Sequence, residues 1–178
     1  MIGLIEEHAR QFAMSLVYEA AKHSQDPETH VGAVTFPPDF IHDPTNNKML
    51  IWGCNHFPPG LTLTPEILGR PGKYCHIIHA EKDIVNQAEK FCLNLTGCLL
   101  FTNGLPCLNC AEAIISAGIA EIYFDEAWES FGDPGWQKTW QESKQAGAVK
   151  LQEAGIAVIP IRYQPKTPQE RFKRGQRF

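Results

Sequence analysis

Two short motifs constrain this chain more than anything else in it: His79-Ala80-Glu81 and, with its first cysteine 28 residues past the histidine, Pro106-Cys107-Leu108-Asn109-Cys110. One imidazole and two thiolates hold a zinc ion tetrahedrally while leaving its fourth position open, the arrangement of a catalytic site rather than a structural one. Water in that position loses a proton far more easily than free water, so hydroxide becomes available near neutral pH. Glu81 stands two residues from a ligand, close enough to move protons without binding the metal. Cys-x-x-Cys alone is a weak signal, because redox pairs and zinc knuckles share it. Cys107 and Cys110 as a redox pair would leave His79 and Glu81 without a job. A closed structural site completed by Cys75 and His76 would have no use for the glutamate or for a vacant position.

The order of elements predicts an α/β domain. Phe12, Ala13, Leu16, Val17 and Ala20 recur at helical spacing, and that helix is expected to end near His23-Ser24. Val31 to Phe36 and Met49 to Cys54 read as strands of a hairpin, joined through Pro37-Pro38 and Asp43-Pro44-Thr45-Asn46-Asn47. Residues 56–76, rich in Pro and Gly, read as an ordered functional loop. A helix over 79–91, a strand over 97–102, a helix over 107–117, a strand over 121–124, a helix over 138–153 and a strand over 156–161 follow. This alternation predicts parallel strands with helices on both faces. Both motifs then fall at helix N-termini, whose positive ends favour thiolate at the cysteines. Pro106 suits a helix start because it has no N–H to leave unsatisfied. The Ala80 backbone N–H is placed to hold a ring carbonyl oxygen.

A chain of 178 residues suits one domain over 1–165 followed by a basic tail, 166–178, which carries Arg171, Lys173, Arg174 and Arg177 and reads as a solvated or interface-packing arm. The formal net charge of −4 argues against a nucleic-acid substrate, which calls for a dense basic surface. Met1-Ile2-Gly3-Leu4 runs directly into Glu6-Glu7, with no signal-peptide pattern, and no apolar run is long enough for a membrane span. Cys54, Cys92 and Cys98 lie in apolar segments where free cysteine packs as a small hydrophobe, so a reduced, cytoplasmic setting is expected.

His-x-Glu…Pro-Cys-x-x-Cys is similar to the signature of zinc-dependent nucleobase deaminases. Three flanking blocks sharpen the likeness. Lys22-His23-Ser24-Gln25-Asp26-Pro27 followed by Val31-Gly32-Ala33 resembles the R-S-x-x-P…V-G-A block of the deoxycytidylate (dCMP) deaminase family. Gly53-Cys54-Asn55-His56-Phe57-Pro58-Pro59-Gly60 resembles its G-Y-N-G-x-P-x-G segment. Pro106 through Ala111, with Ile114-Ile115-Ser116-Ala117-Gly118-Ile119, resembles its P-C-x-x-C-A…I-I-x-A-G-I run. The likeness covers about residues 12–161.

The resemblance implies a three-layer α/β/α cytidine-deaminase-like fold with a five-stranded mixed sheet. It also implies hydrolysis of dCMP to dUMP and ammonia, with zinc held by His79, Cys107 and Cys110 and protons carried by Glu81. Asn55 and Ala80 would bind the nucleoside. Ser24 matches the family's block, whereas His23 stands in place of its arginine and makes a permanent charge titratable; Lys22 and Lys73 are candidate substitutes. Tyr123 and Trp128 are candidates to flank the base or sugar. The family further implies a homohexamer activated by dCTP and inhibited by dTTP with Mg²⁺, with Gly53, Asn55 and His56 in the effector segment. Cytidine, a nucleic-acid cytosine, or nucleotide binding without catalysis stay open as alternatives.

Overall fold

Ala9, Ala13, Met14, Val17, Tyr18 and Ala21 return to one side of α1 (Ile2–Ala21) every three to four residues and are all buried. This stripe seats the helix on one face of a sheet, the arrangement that amphipathic spacing dictates. The computed structural model describes residues 2–43, 45–46, 48–131, 134–167, 171–173 and 175–177; Pro44 and Asn47 of the expected turn and Arg174 of the tail lie outside them.

The sheet is five-stranded and mixed, in the order β2-β1-β3-β4-β5. β1 (Gly32–Phe36) runs antiparallel to β2 (Ile51–Cys54) on one side and to β3 (Leu99–Thr102) on the other. β4 (Glu121–Asp125) and β5 (Ala157–Ile161) continue parallel to β3, as the alternation of elements predicts. Successive residues point to opposite faces. Val34, Phe36, Phe101 and Tyr123 join the α1 layer, whereas Ala33, Leu100 and Ile122 join the opposite one. That second layer comprises α3 (Ala80–Phe91), α4 (Leu108–Ser116) and α6 (Pro134–Glu153), represented by Ile84, Ala88, Ala111, Ile114 and Leu151. Each fully buried Ile or Leu contributes about 1.5–3 kcal/mol of hydrophobic burial.

Element boundaries differ modestly from expectation. α1 ends at Ala21, and α6 begins at Pro134 rather than at Lys138, since proline is tolerated in a first helical turn. The Pro- and Gly-rich loop holds a short α2 (Pro65–Leu68) and a 3₁₀ turn, Gly72–Cys75. α5 (Glu126–Ser130) follows β4 without a loop, because Asp125 caps it through Oδ1, 3.0 Å from the Ala127 N–H.

The tail, expected as a solvated or interface-packing arm, includes folded and buried residues among those described. β6 (Phe172–Lys173) and β7 (Gln176–Arg177) form a hairpin, and Arg171 is 7% exposed, paired with Asp125. A charged residue is buried only when paired, and that pairing spans 46 residues of chain. Among the described residues, no helix is long and apolar enough to cross a membrane. Cys54 and Cys98 are buried as expected, but Cys92 is exposed, in the left-handed conformation (φ 53°) that ends α3.

Candidate active site

His79 is the N-cap residue of α3 and Cys107 that of α4, so both motifs meet where two helices begin. Cys110 and Glu81 lie in the first turns behind them. His79 Nδ1 stands 3.5 Å from Cys107 Sγ and 3.4 Å from Cys110 Sγ. Donor bonds of about 2.0–2.1 Å to nitrogen and 2.3 Å to sulfur, set tetrahedrally, give N···S edges of about 3.5 Å. The three donors therefore fit zinc, and their atoms all lie within 4.8 Å of one another. Cys75 and His76, the alternative ligands, are both exposed and do not join the group.

Glu81 is 5% exposed, beside the donors. Cys110 Sγ is 3.6 Å from its Oε2, and the Thr102 hydroxyl, at the end of β3, donates to Oε1 at 3.4 Å. Burial is the largest influence on its carboxyl and pushes it above the usual carboxylate range. The two thiols behave as a pair. A hydrogen bond from Cys110, aided by His79, brings the Cys107 thiol down to about 4. The same hydrogen bond, then burial and the Glu81 charge, push Cys110 up.

Close packing holds the two helix starts. A Cβ on Gly53 would lie 2.7 Å from the Ala80 carbonyl oxygen and 3.1 Å from Ile84 Cγ1, so α3 crosses β2 where there is no side chain. A Cβ on Gly147 of α6 would lie 2.8 Å from the Pro106 oxygen and 3.0 Å from the Cys107 carbonyl carbon. Ser143 Oγ, one turn away on α6, accepts from the Leu108 N–H at 3.3 Å, and the Trp140 ring rests 5.8 Å from that of His79.

A pocket opens above Glu81, His79 and Cys107, walled by Asn55, Lys73, Tyr74, Trp128, Trp140 and Lys173, among others. Asn55 and Trp128, both candidates from the sequence, are thus among its lining residues. Asn55 also has a scaffolding role: Oδ1 accepts from the Val31 N–H at 2.9 Å, and Nδ2 donates to the Thr29 carbonyl at 2.8 Å. Ala80 is fully buried in the first turn of α3.

Other expected contacts are not brought together. Tyr123 stacks on Phe101 in the α1 layer, the opposite face from α3 and α4, and its hydroxyl donates to Glu121. Strand alternation puts Ile122, not Tyr123, on the metal side. His23 is exposed against Trp52, and Lys22 is an exposed partner of Glu19, so neither lines the pocket. The Ser24 hydroxyl is used locally, accepting from the Asp26 N–H at 3.1 Å. His56 and Gly53 are likewise taken up in holding α3. His56 Nε2 lies 3.2 Å from Asp83 Oδ1, its Nδ1 lies 2.9 Å from the Phe57 oxygen, and its backbone pairs with Ile78. Sequence reasoning missed Thr102, Trp140, Ser143 and Gly147. Helical spacing in α6 was the only signal for the last three, and it does not say which neighbour a face meets.

Comparison with known proteins agrees with this geometry. The zinc-binding region of the cytidine and deoxycytidylate deaminases matches residues 7–126. An uncharacterised deaminase from the luxG 3′ region of Aliivibrio fischeri is 29% identical over 155 residues, covering 87% of this chain and 94% of that protein. Deoxycytidylate deaminase of Mus musculus is 30% identical over 120 residues, covering 64% of this chain and 62% of the mouse protein. The apo crystal structure of dCMP deaminase from cyanophage S-TIM5 superposes with a TM-score of 0.62 at 21% identity, over 85% of this chain and 96% of that one. At that identity the likeness is one of fold.

Proposed function

The chain belongs to the cytidine and deoxycytidylate deaminase family, and from that premise we propose that it hydrolyses dCMP to dUMP and ammonia. The observation that carries the reading is the convergence of His79 Nδ1, Cys107 Sγ and Cys110 Sγ beside a buried Glu81 on a pocket floor. When bound to those three donors, zinc supplies the Lewis acidity that makes water a nucleophile near neutral pH. Glu81 accepts the proton released as water adds to C4 of the cytosine and delivers it to N3; it then takes the proton of the C4 hydroxyl and passes it to the amine, which leaves as ammonia as the C4–N bond breaks and the C4 carbonyl forms. A carboxyl raised by burial suits a group that must both accept and donate. Thr102 steadies one carboxylate oxygen. The Ala80 N–H, in the first turn of α3, is the donor assigned in this reading to the ring carbonyl oxygen, and Trp140 and Trp128, which line the pocket, are assigned as apolar walls for the base.

Ammonia release from dCMP, deoxycytidine, dCTP and single-stranded DNA tests the substrate, with dCMP expected to be fastest. Glu81→Gln should keep one zinc per chain and lose about 10²–10⁴-fold in turnover. Full activity in Glu81→Gln overturns the mechanism.

The same reading includes a homohexamer activated by dCTP and inhibited by dTTP with Mg²⁺. What supports it is the Gly53, Asn55, Pro58 and Gly60 framework in the sequence. If dTTP weakens binding of a non-reactive dCMP analogue, the analogue must weaken dTTP binding by the same factor. Hyperbolic kinetics indifferent to both triphosphates overturn this part alone.

A further inference from the structure

A helix commonly meets one of its first free N–H groups with the side chain of its N-cap residue. Neither α3 nor α4 does so: His79 and Cys107 hold those positions without capping, and both belong to the metal donor set. At α4 an acceptor comes instead from another helix, since Ser143 Oγ of α6 accepts from the Leu108 N–H at 3.3 Å. On the other side of the cysteine, Glu129 Oε2 of α5 accepts from the Leu105 N–H at 3.1 Å. Pro106 between them has no N–H to give. The backbone that presents Cys107 is therefore tied on both sides to side chains from later in the chain.

Glu129 is held in turn. Lys144 Nζ lies 2.9 Å from its Oε1 and 2.7 Å from its Oε2, with the Lys144 side chain 20% and that of Glu129 23% exposed. A partly buried pair of this kind is screened less than a surface one, and two bonds from one ammonium fix the direction of the carboxylate. The loop leaves room for it: a Cβ on Gly104 would lie 3.0 Å from Glu129 Oε2. Ser143, Lys144 and Gly147 recur at the three- and four-residue spacing of one helix face, and Gly147 lies against the Pro106 and Cys107 backbone itself. The match to the family's zinc-binding region ends at residue 126, before Glu129 and before the whole of that face.

We propose that Glu129 is a positioning residue of the metal centre: braced by Lys144, it holds the loop that presents Cys107 to the ion through the Leu105 N–H. The proposal rests on the reading of His79, Cys107 and Cys110 as a zinc site, and goes beyond it by making zinc affinity depend on α5 and α6. Cys110 lies inside the first turn of α4 and has that helix to hold it, whereas Cys107 sits where loop becomes helix. Without Glu129 the Leu105 N–H turns to water and the loop gains freedom. Fixing Cys107 again then consumes part of the binding free energy.

Titrating zinc-loaded protein with a chromogenic chelator reads zinc affinity without turnover. Glu129→Ala should weaken zinc by about 10-fold, the lower end of the range for partners standing behind metal ligands. Glu129→Gln keeps an oxygen for the Leu105 N–H and should recover part of that loss. Lys144→Met keeps the side-chain stem and removes the charge; it should weaken zinc when Glu129 is present and add little in Glu129→Ala. In Co²⁺-loaded protein the visible bands of the tetrahedral ion should shift in Glu129→Ala. Glu28→Gln, whose ion pairs are with Arg70 and Lys73, is the control: it should lose stability in urea at pH 7 and keep its zinc affinity. Wild-type zinc affinity in Glu129→Ala, or in Lys144→Met should Glu129→Ala not fold, overturns the proposal. An equal loss of affinity in Glu28→Gln overturns it too, because the effect would then follow stability rather than position. Zinc held tightly by a wild type that releases no ammonia from dCMP would overturn the proposed reaction and leave this inference standing.

Discussion

Lys73 is 1% exposed, with Nζ 2.9 and 3.0 Å from the Asp26 oxygens and 2.8 Å from Glu28 Oε2. A lysine buried this deeply is tolerable only because its charge is met on each side. Removing one partner strands the others, so Lys73→Met should destabilise the protein by about 3–5 kcal/mol in urea unfolding, far more than a surface lysine. A loss below about 1 kcal/mol would show that the cluster is relaxed and wet. Glu28 adds a pH signature. Burial alone would raise its carboxyl, but Lys73 and then Arg70 outweigh burial and hold it below its ordinary value. A carboxylate depressed by folding contributes stability that is present above its unfolded value and lost as pH falls through the folded one. The stability gap between wild type and Glu28→Gln should therefore be full at pH 7 and close below about pH 4. Urea titrations at several pH values check this, and a gap independent of pH would refute it. At this scale the metal-site residue types were legible, because each donor's chemistry is local. The orientation of Tyr123 was not. Ile122, Tyr123 and Phe124 are all buried, and a strand apolar on both faces carries no mark of which side is which.

The helix starts illustrate how elements share the work. Local sequence specifies them, as with Pro106 ahead of Cys107, and the helix dipoles favour the thiolates that the donor set requires. What holds them in register comes from further away. α6 lays Gly147 against the Pro106-Cys107 backbone and Ser143 against the Leu108 N–H. Gly147→Ala would favour the helix intrinsically by about 0.8–1 kcal/mol, yet its Cβ would sit 2.8 Å from a backbone oxygen that cannot swing aside. The clash should win. The variant is expected to be destabilised by about 1–3 kcal/mol, with weakened zinc retention, measurable as metal content after dialysis against a chelator. A variant more stable than wild type with full zinc would mean that α6 can slide without disturbing Cys107. The extent of these elements was largely readable from apolar spacing, to within a turn. The contact between residues 106 and 147 was not, since periodicity identifies an apolar face without identifying its partner.

Across the whole molecule the candidate metal donors bring the starts of α3 and α4 together, and those helices cover one face of a mixed sheet whose other face carries α1. A ligand that binds only the folded state adds stability by mass action, so chelation should lower Tm by several degrees. Cys107→Ser should start with the lower Tm and respond little to chelator; equal responses of the two proteins would place the zinc elsewhere. The sequence by itself determined the candidate donor set and the order of the main elements: candidate ligand types, helix starts, turn residues and strand apolarity are written within a few residues of where they act. Only the tertiary structure decided that Tyr123 faces away, that His56 and Gly53 brace α3, and that Arg171 of the basic tail is buried against Asp125. Those outcomes depend on pairings such as Arg171 with Asp125, 46 residues apart. A charge in sequence looks solvated until the fold supplies the opposite charge that makes its burial tolerable.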